Sequence, residues 1–255
     1  MEKLKKTLTM SFSEKVSEGI AYLLPEYIIQ LMTMTVLMLV WGVLLDKGAD
    51  VPMSKEQMLT YTFVSFMLRD FIDMRTELSS WNYEGQLINL YLRPMGVFPQ
   101  VICQTLGKLL PKLLVFSLPL FFIAPLFGIN TVPESPLFFL SLALSISAGF
   151  AIDFLFACLC IKLMNINWLI ITIRRSVTNI FSGAVIPFAM LPFGLDKILP
   201  WQPFGVLANA PLSIFVGSQQ AAEFIIAQIV WNIVLWPLAV YVWQRSREGL
   251  VSFGG

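Results

Sequence analysis

Histidine is missing from the chain, and charged residues of either sign are scarce. None of the 255 residues is histidine, and Asp, Glu, Lys and Arg together make up 13% of them. Histidine-based catalytic triads, haem ligation by histidine and HExxH zinc sites are therefore excluded. A soluble domain carries charges at about a quarter of its positions. With 57% apolar residues and a mean hydropathy of +0.75, the composition indicates an integral membrane protein.

Cysteine is rare as well, and the few charges nearly cancel. Cys103, Cys158 and Cys160 lie among apolar neighbours, and an odd number without C-x-x-C spacing provides neither a disulfide framework nor a zinc knuckle. We interpret them as packing residues. The 17 basic and 16 acidic residues leave a net charge of +1, which is too small to attract nucleic acid. The sequence therefore predicts no metal site and no nucleic-acid partner.

Nucleotide-binding motifs are absent too. The sequence contains no G-x-x-x-x-G-K-[ST] phosphate loop and no Gly-rich dinucleotide motif. We therefore expect no catalytic residues and no cofactor on this chain. Any nucleotide that drives it must be bound by another protein.

Six apolar stretches approach the length of about 20 residues that a helix needs to cross a bilayer. Arg69 and Asp70 interrupt the second stretch, and Arg174 and Arg175 interrupt the fifth. We expect these charged side chains to reach the headgroups. The predicted fold is all-α and integral to the membrane, with residues 1–255 forming one domain. The six transmembrane helices are predicted at about 26–45, 57–76, 110–130, 137–162, 169–189 and 222–244.

The basic residues give the orientation of these six spans. In this topology 14 of the 17 lysines and arginines lie on one side, and only Lys47, Lys55 and Lys197 lie on the other. Short loops rich in Lys and Arg stay in the cytoplasm. We therefore expect a multi-pass protein of the cytoplasmic (inner or plasma) membrane, with both termini cytoplasmic.

Two segments are predicted to lie beside the spans. Residues 1–24 place apolar side chains at every fourth position among lysines and glutamates, which favours an interfacial helix; a disordered basic tail is the alternative. Residues 190–217 are apolar but contain four prolines, which argue against one continuous helix. We expect short broken helices that form a re-entrant element on the outer side, and a surface loop is the alternative. The first segment repeats its apolar positions at Leu4, Leu8, Phe12, Val16 and Ile20.

The cytoplasmic segment at about 77–100 contains a short amphipathic pattern. Its apolar side chains recur at helical spacing, at Leu87, Ile88, Tyr91 and Leu92. These 255 residues contain no soluble domain that would bury such a face. A soluble partner and the inner ends of the chain's own spans are equally good candidates.

Asp153 lies near the middle of the fourth predicted span. A charge at that depth is costly, and it marks either a functional path or a paired side chain. We favour an ion pair with Arg69 that holds two helices together. A place in the substrate path and a protonated, hydrogen-bonded carboxyl group are the alternatives.

Several motifs together resemble a known family. YEGQLINLYLRPM, residues 83–95, is similar to the Gly-x-Leu, Leu-Arg-Pro segment in the membrane subunits of type-2 ATP-binding-cassette (ABC) exporters. FSGAVIPFAMLP, residues 181–192, resembles the Ser-Gly-x-x-x-Pro motif at the end of their fifth span. LPWQPF, APLSIFVG and the C-terminal RSREGLVSFGG follow in the family's order. The resemblance extends from the second predicted span to the end of the chain.

The resemblance implies a permease with six spans, a cytoplasmic coupling helix and a broken outer element between spans five and six. The working unit would contain two permeases, identical or homologous, and two separate ATPase subunits that bind ATP and Mg²⁺. Contact with the ATPase would be carried by Glu84, Gly85, Gln86, Leu90, Arg93 and Pro94. The bend into the outer element would be shaped by Ser182, Gly183 and Pro187. Asp153 and Arg69 match no motif of the family.

The implied function is ATP-driven export by alternating access at the interface of two permeases. Apolar outer elements and a nearly uncharged path favour an amphipathic or lipidic cargo, such as a drug, a peptide or a lipid-linked molecule. The main alternative is an ion-coupled carrier or channel that works without an ATPase. A membrane enzyme acting on lipids and a scaffold that anchors another protein are further alternatives.

Overall fold

The fold consists of helices joined by short connections. A computed structural model describes residues 2–19, 23–48, 52–83, 86–163 and 166–254. Helices make up 79% of the chain, and these described ranges contain no strand. The predicted all-α class is therefore confirmed. Four helical stretches are long and apolar enough to cross a membrane, namely Leu24–Asp46, Val97–Phe127, Leu137–Lys162 and Ala221–Ser246.

The first two helices are α1, Glu2–Ser17, and α2, Leu24–Asp46. Helix α1 packs on a later helix at Gly107, where an added Cβ would lie 2.5 Å from the Leu8 carbonyl oxygen. Ser11 is buried at the same contact. Helix α1 therefore packs on the protein itself at Leu8 and Ser11, while Leu4, Leu8 and Phe12 of the predicted stripe are partly exposed and Val16 is exposed. Ile20 lies outside the described residues.

The third helix, α3, spans Lys55–Met67, and α4 spans Arg69–Ile72. Helix α3 starts with a capping box in which Ser54 and Gln57 each accept the other's backbone N–H. A break at Leu68 separates α3 from α4 and interrupts the predicted second span, whose helical part ends four residues early.

The break at Leu68 leaves backbone carbonyl groups that need other partners. Phe66 O accepts a hydrogen bond from Gln30 Nε2 at 2.6 Å, and Met67 O accepts one from Ser117 Oγ at 3.1 Å. Side-chain donors of this kind make an interrupted helix tolerable where water is scarce. The break is therefore stabilised by two neighbouring helices.

The next elements are two short helices, α5, Leu78–Tyr83, and α6, Ile88–Tyr91, followed by α7, Val97–Lys112. A π-helical stretch, Leu113–Ser117, continues α7 into α8, Leu118–Ile123, and a 3₁₀ turn, Ala124–Phe127. The whole stretch has 31 residues and is roughly 46 Å long at 1.5 Å per residue. Because the hydrocarbon core is about 30 Å thick, only part of this stretch fits within a bilayer.

Helix α9, Leu137–Lys162, is the central helix and has the bounds predicted for the fourth span. In its most apolar window 67% of the residues are buried, against 11–17% in the other three long helices. Small residues on its surface permit close packing. A Cβ added at Gly149 would lie 3.2 Å from Met74 Cβ.

Helix α10, Asn167–Phe181, ends eight residues before the predicted end of the fifth span. Gly183 adopts φ +77°, a left-handed conformation that terminates helices. The next elements are a 3₁₀ turn at Phe188–Met190, α11 at Leu195–Ile198, a 3₁₀ turn at Leu199–Trp201 and α12 at Gly205–Phe215. The Pro-rich stretch is thus divided into short helices. The last helix is α13, Ala221–Gly254.

Helix α12 is buried along almost its whole length. Pro211 has no backbone N–H, so the carbonyl of Leu207, four residues earlier, loses its usual helical donor. The Ser145 hydroxyl of α9 donates to that carbonyl instead. Gln228 Nε2 of α13 donates to Val206 O at 2.9 Å. Neighbouring helices therefore supply the hydrogen bonds that this interrupted segment needs.

Two core clusters stack along α9. The first core cluster joins α3, α12 and the start of α13 to the first half of α9. The second core cluster joins α5, α6 and α7 to the second half of α9 and to α13, through residues that include Met74, Leu78, Leu87, Leu90, Phe154 and Trp243. The functional residues predicted from the sequence are distributed around these two clusters.

Candidate functional site

Three buried charged side chains meet next to the second core cluster, and the partly exposed Arg75 joins them with its Nε 3.2 Å from Asp73 Oδ2. A guanidinium nitrogen of Arg174 on α10 lies 3.0 Å from Asp153 Oδ1 on α9. The other terminal nitrogen lies 3.4 Å from Asp73 Oδ1, in the connection between α4 and α5. All three residues are more than nine-tenths buried. We call Asp73, Asp153 and Arg174 the ion-pair cluster.

The backbone that leads from α4 to α5 is bound to the same cluster. Thr76 donates its backbone N–H, at 2.9 Å, and its hydroxyl to Asp153 Oδ2. Arg174 donates to the carbonyl oxygen of Met74. Both oxygens of Asp153 therefore have donors, which makes a buried carboxylate tolerable.

The cation in this cluster differs from the predicted one. The sequence analysis paired Asp153 with Arg69, but the buried partner is Arg174, and Arg69 is exposed at the start of α4. An ion pair at Asp153 was predicted correctly, but the predicted partner, Arg69, was wrong.

The expectation that Arg174 lies at the headgroups is also wrong. Helix α10 turns every fourth residue toward the protein interior, and Ile170, Arg174 and Thr178 are all buried. Arg175 belongs to the opposite face and is exposed. This four-residue spacing was the signal in the sequence that distinguishes the two arginines.

The hydrogen bonding of the ion-pair cluster is incomplete. Arg174 Nε and Asp73 Oδ1 are buried and lack a hydrogen bond within the described part of the chain. Buried polar atoms without partners are uncommon in folded proteins and need an explanation. In the same part of the chain, no group of three or more Cys, Asp or Glu could hold a metal ion. The cluster therefore joins α9, α10 and the connection before α5 electrostatically.

The segment that the family resemblance assigns to ATPase contact packs against the second core cluster. We call residues 86–95 the α6 segment. Leu87 and Leu90 are each 4% exposed and pack into that cluster. Leu90, which the resemblance assigned to the ATPase, therefore packs inside the chain. Gln86, Arg93 and Pro94 are exposed, and Glu84 and Gly85 lie outside the described residues.

The opposite face of the α6 segment is apolar and exposed. Ile88 is 66% exposed and Leu92 is 78% exposed. Packing on the chain's own helices therefore holds for one face of the pattern, and the soluble partner stays a prediction. Leu87 packs against the chain's own helices, and Ile88 and Leu92 present an apolar surface outward.

The α6 segment is connected to the ion-pair cluster through one short stretch of chain. Met74 and Leu78 are fully buried in the second core cluster. Glu77 Oε2 lies 2.7 Å from Lys108 Nζ of α7, and Asn167 Nδ2 of α10 donates to Ser79 O at 3.4 Å. A displacement of the α6 segment would therefore also shift α7, α9 and α10.

Ser182, Gly183 and Pro187 lie directly after α10, and all three are buried. A Cβ at Gly183 would lie 3.0 Å from Asn209 Cβ, so the positive φ and the close contact both require glycine. Ser182 O accepts a hydrogen bond from the backbone N–H of Asn209 at 2.9 Å. These residues form the sharp turn between α10 and the buried α12.

Helix α3 also holds this turn. Tyr61 donates its hydroxyl to Gly183 O at 2.8 Å, and Ser65 donates its hydroxyl to Ala184 O. Tyr61 and Ser65 are buried. The sequence analysis missed both, because a hydroxyl that bonds to a distant carbonyl leaves no local pattern.

Comparisons with known proteins do not identify a family. No protein-family model matches the chain, and no curated protein sequence matches it. The resemblance to type-2 ABC exporters is therefore carried by the quoted motifs alone.

Proposed function

We propose that this chain is the permease subunit of an ATP-driven type-2 ABC exporter that moves an amphipathic or lipidic small molecule, a peptide or a drug across the cytoplasmic membrane. The observation that carries the proposal is the α6 segment. Its exposed apolar face, Ile88 and Leu92, is anchored by Leu87 and Leu90 to a bundle of apolar helices. A face of this kind fits a groove on a soluble ATPase.

Six membrane crossings are part of this proposal, with α3–α4 and α10 as the two that supplement the long helices. The ion pairs support this count. Lys112 Nζ lies 3.2 Å from Glu26 Oε2 and 3.6 Å from Asp70 Oδ2. If α3–α4 did not cross, Lys112 would be separated from Glu26 by the membrane. The distribution of lysine and arginine then favours both termini in the cytoplasm, on the side of the α6 segment.

The proposed mechanism uses the α6 segment as a lever. ATP binding closes the two ATPase subunits and displaces the segment, and the buried side chains of Met74 and Leu78 carry the displacement to the ion-pair cluster. Thr76 then acts on α9 through Asp153, and Asp73 acts on α10 through Arg174. Arg174 Nε and Asp73 Oδ1, which lack hydrogen bonds within the described residues, support a second arrangement in which they gain them.

Two permeases would enclose the cargo path between them. The exposed face of α10 combines Ile173 and Ile180 with Arg175, Ser176 and Asn179. A mixed face of this kind suits an amphipathic cargo. Because two conformations are shifted only by a difference in binding free energy, the ATPase must hold the α6 segment differently in its open and closed states.

The experiment is purification of the chain from its native membrane, followed by reconstitution into liposomes with the ABC ATPase that the proposal expects to co-purify with it. Ile88→Ser combined with Leu92→Ser should lower ATP-dependent transport and cargo-stimulated hydrolysis about tenfold or more, since central apolar anchors dominate interfaces. Leu126→Ser is the matched control, because Leu126 is 83% exposed on a turn far from the α6 segment. Arg93→Ala tests the polar edge of the same contact.

Two results would contradict the proposal. The first is transport by the chain alone, without ATP or an ATPase. The second is full transport by the Ile88→Ser, Leu92→Ser variant. If an ion gradient drove transport and Asp153→Asn abolished it, the chain would instead be an ion-coupled carrier.

A further inference from the structure

Two helix interruptions are in direct contact with each other. The break at Leu68 separates α3 from α4, and the π-helical stretch Leu113–Ser117 lies between α7 and α8. Ser117 Oγ, at the end of the π-helical stretch, donates to Met67 O, immediately before the break, at 3.1 Å. π-Helical turns within α-helices are rare and are frequently found at functional sites. The proposed export mechanism assigns no role to either interruption.

Pro119 explains why the chain is π-helical at this position. The backbone N–H of Leu118 donates to Leu113 O, five residues earlier. In a continuous α-helix, the ring of Pro119 would clash with the carbonyl of Val115, four residues earlier. A π-helical turn accommodates one additional residue and shifts that carbonyl. Because π-helices are themselves rare, the π-helical and α-helical arrangements of this stretch compete.

The break at Leu68 replaces a helical hydrogen bond with one from Ser117. In a continuous α-helix, the backbone N–H of Phe71 would donate to Met67 O, four residues earlier. Instead, Phe71 donates to Leu68 O at 2.9 Å, and the Ser117 hydroxyl is the donor to Met67 O. The π-helical stretch therefore supplies the donor that the break removes.

Helix α8 is packed much more loosely than α7. None of the residues 113–123 is buried. Segments with few buried contacts move at a low cost in free energy. The π-helical stretch thus lies at the boundary between an anchored helix and a loosely packed one. The anchored helix, α7, buries Gln100, Val101, Thr105, Gly107 and Pro111.

We propose that the two interruptions form one conformational switch. In the first arrangement the stretch is π-helical, and Ser117 holds the break open through Met67 O. In the second the stretch is α-helical, which turns α8 by about 100° and shifts it by about 1.5 Å, the values for one helical residue. Ser117 then leaves Met67 O, the N–H of Phe71 replaces it, and α3 and α4 join into one helix. Because Asp73 directly follows α4, the switch also moves one member of the ion-pair cluster.

The test measures two distances by pulsed electron paramagnetic resonance on the full chain in lipid nanodiscs. Spin labels at Phe122→Cys on α8 and at Arg69→Cys on α4 are each paired with a label at Phe139→Cys on α9, after the three native cysteines are replaced by alanine. All three labelled positions are exposed. Pro119→Ala removes the clash and should change both distances by about 3 Å or more. Pro125→Ala is the matched control and should change neither distance, because the carbonyl four residues before it belongs to α8 and not to the π-helical stretch.

Ser117→Ala tests the coupling between the two interruptions. Without the hydroxyl, Met67 O loses its donor, and the α-helical arrangement should gain population about threefold or more, as expected for one interhelical hydrogen bond in a membrane. The Arg69 label should therefore show more of the distance that it adopts in Pro119→Ala. Ser117→Thr retains the hydroxyl and should give the distances of the unaltered chain.

Unchanged distances in Pro119→Ala would overturn the proposal. A change at the Phe122 label alone would overturn the coupling, because the π-helical stretch would then move without the break. Labels at Phe139→Cys and Tyr241→Cys, both exposed, check that each variant keeps α9 and α13 in place. If Pro119→Ala disturbs that pair, Ser117→Ala decides, and an unmoved Arg69 label overturns the proposal. The measurements need neither ATP nor an ATPase, so the switch and the proposed export function are tested independently.

Discussion

The two ends of the helix bundle are held together by different interactions. At the end that carries α6, charged side chains meet, as in the ion-pair cluster and in the pairs of Lys108 and Lys112. At the end around α12, side-chain donors bond to backbone carbonyls. Gln228 bonds to Val206 O, and Trp231 Nε1 bonds to Trp201 O at 2.7 Å.

The contrast follows from the backbone. Short helices leave many carbonyls without helical donors, and between α10 and α13 neighbouring side chains supply those donors. Beside the ion-pair cluster, side chains also donate to the carbonyls of Met74 and Ser79, but buried charges require partners there as well. We infer that the end around α12 is rigid because its side-chain donors are tied to backbone carbonyls, while the charged end can exchange partners.

Replacing Arg174 should produce the largest loss of stability, and the loss should come from the end of the bundle that carries α6. Arg174→Met leaves Asp153 buried without its cation and leaves Asp73 with the partly exposed Arg75 alone, and removal of one partner from a buried pair costs about 3–5 kcal/mol. The free energy of unfolding in mixed micelles, followed by helical circular dichroism during titration with dodecyl sulfate, measures the loss. Arg175→Met is the control on the exposed face of the same helix and should change little.

A compensating variant tests the reason for that loss. Replacing both carboxylates as well, in Asp73→Asn, Asp153→Asn, Arg174→Met, removes the uncompensated charges and should recover more than half of the lost stability. Equal losses in Arg174→Met and Arg175→Met would show that the ion-pair cluster does not hold the charged end.

Gly205→Ala should damage the opposite end by the next largest amount. An added Cβ would lie 2.2 Å from the Leu199 carbonyl oxygen, so α12 must move away from the turn before it. Overpacking of this kind costs about 1–3 kcal/mol. Gly42→Ala is the control, because a Cβ at that position of α2 meets nothing within 4 Å. In thermal unfolding, the control should be unchanged or stabilised, since alanine favours helices, and a loss at Gly42 equal to that at Gly205 would contradict the packing argument.

Uninterrupted helices were the predictable part of the fold. The bounds of α9 coincide with the predicted fourth span, and α2 differs from the first span by only one or two residues at each end, because an uncharged run bounded by polar residues defines such helices. The break at Leu68 left no signal. Neither Gly nor Pro marks it, and it depends on donors from Gln30 and Ser117, which come from distant parts of the chain.

The candidate site was predictable to a similar degree. Asp153 was identified from its depth in an apolar run, and Gly183 from a family motif. Arg174 was misplaced because its charge was given more weight than the four-residue spacing of the buried face of α10. Tyr61 could not be assigned, because only the tertiary structure shows that its hydroxyl donates to Gly183 O.

Gln228→Leu should weaken the hydrogen-bonded end by a smaller amount. The fully buried amide donates to Ser141 O at 3.0 Å and to Val206 O at 2.9 Å. Interhelical hydrogen bonds in membranes contribute about 0.6–1.7 kcal/mol, so a total loss of about 1–2 kcal/mol in the dodecyl sulfate titration is expected. Gln244→Leu, at an exposed position of the same helix, provides the baseline. A loss no larger than this baseline would mean that α12 is held by packing alone.

Lys108→Met should cause the smallest loss of stability. It distinguishes a partly exposed ion pair from the buried ion-pair cluster at the same end of the bundle. Lys108 and Glu77 are partly exposed, at 20% and 47% of their side-chain surfaces, and pairs of this kind contribute about 0.2–1 kcal/mol. Salt at 1 M shortens the screening length to about 3 Å, so the stability difference between Lys108→Met and the unaltered chain should vanish there in a nonionic denaturant such as urea. The loss in Arg174→Met should persist, because the ion-pair cluster is shielded from salt. If salt abolished both losses, the cluster would be open to water, and the charged end would be held by surface electrostatics throughout.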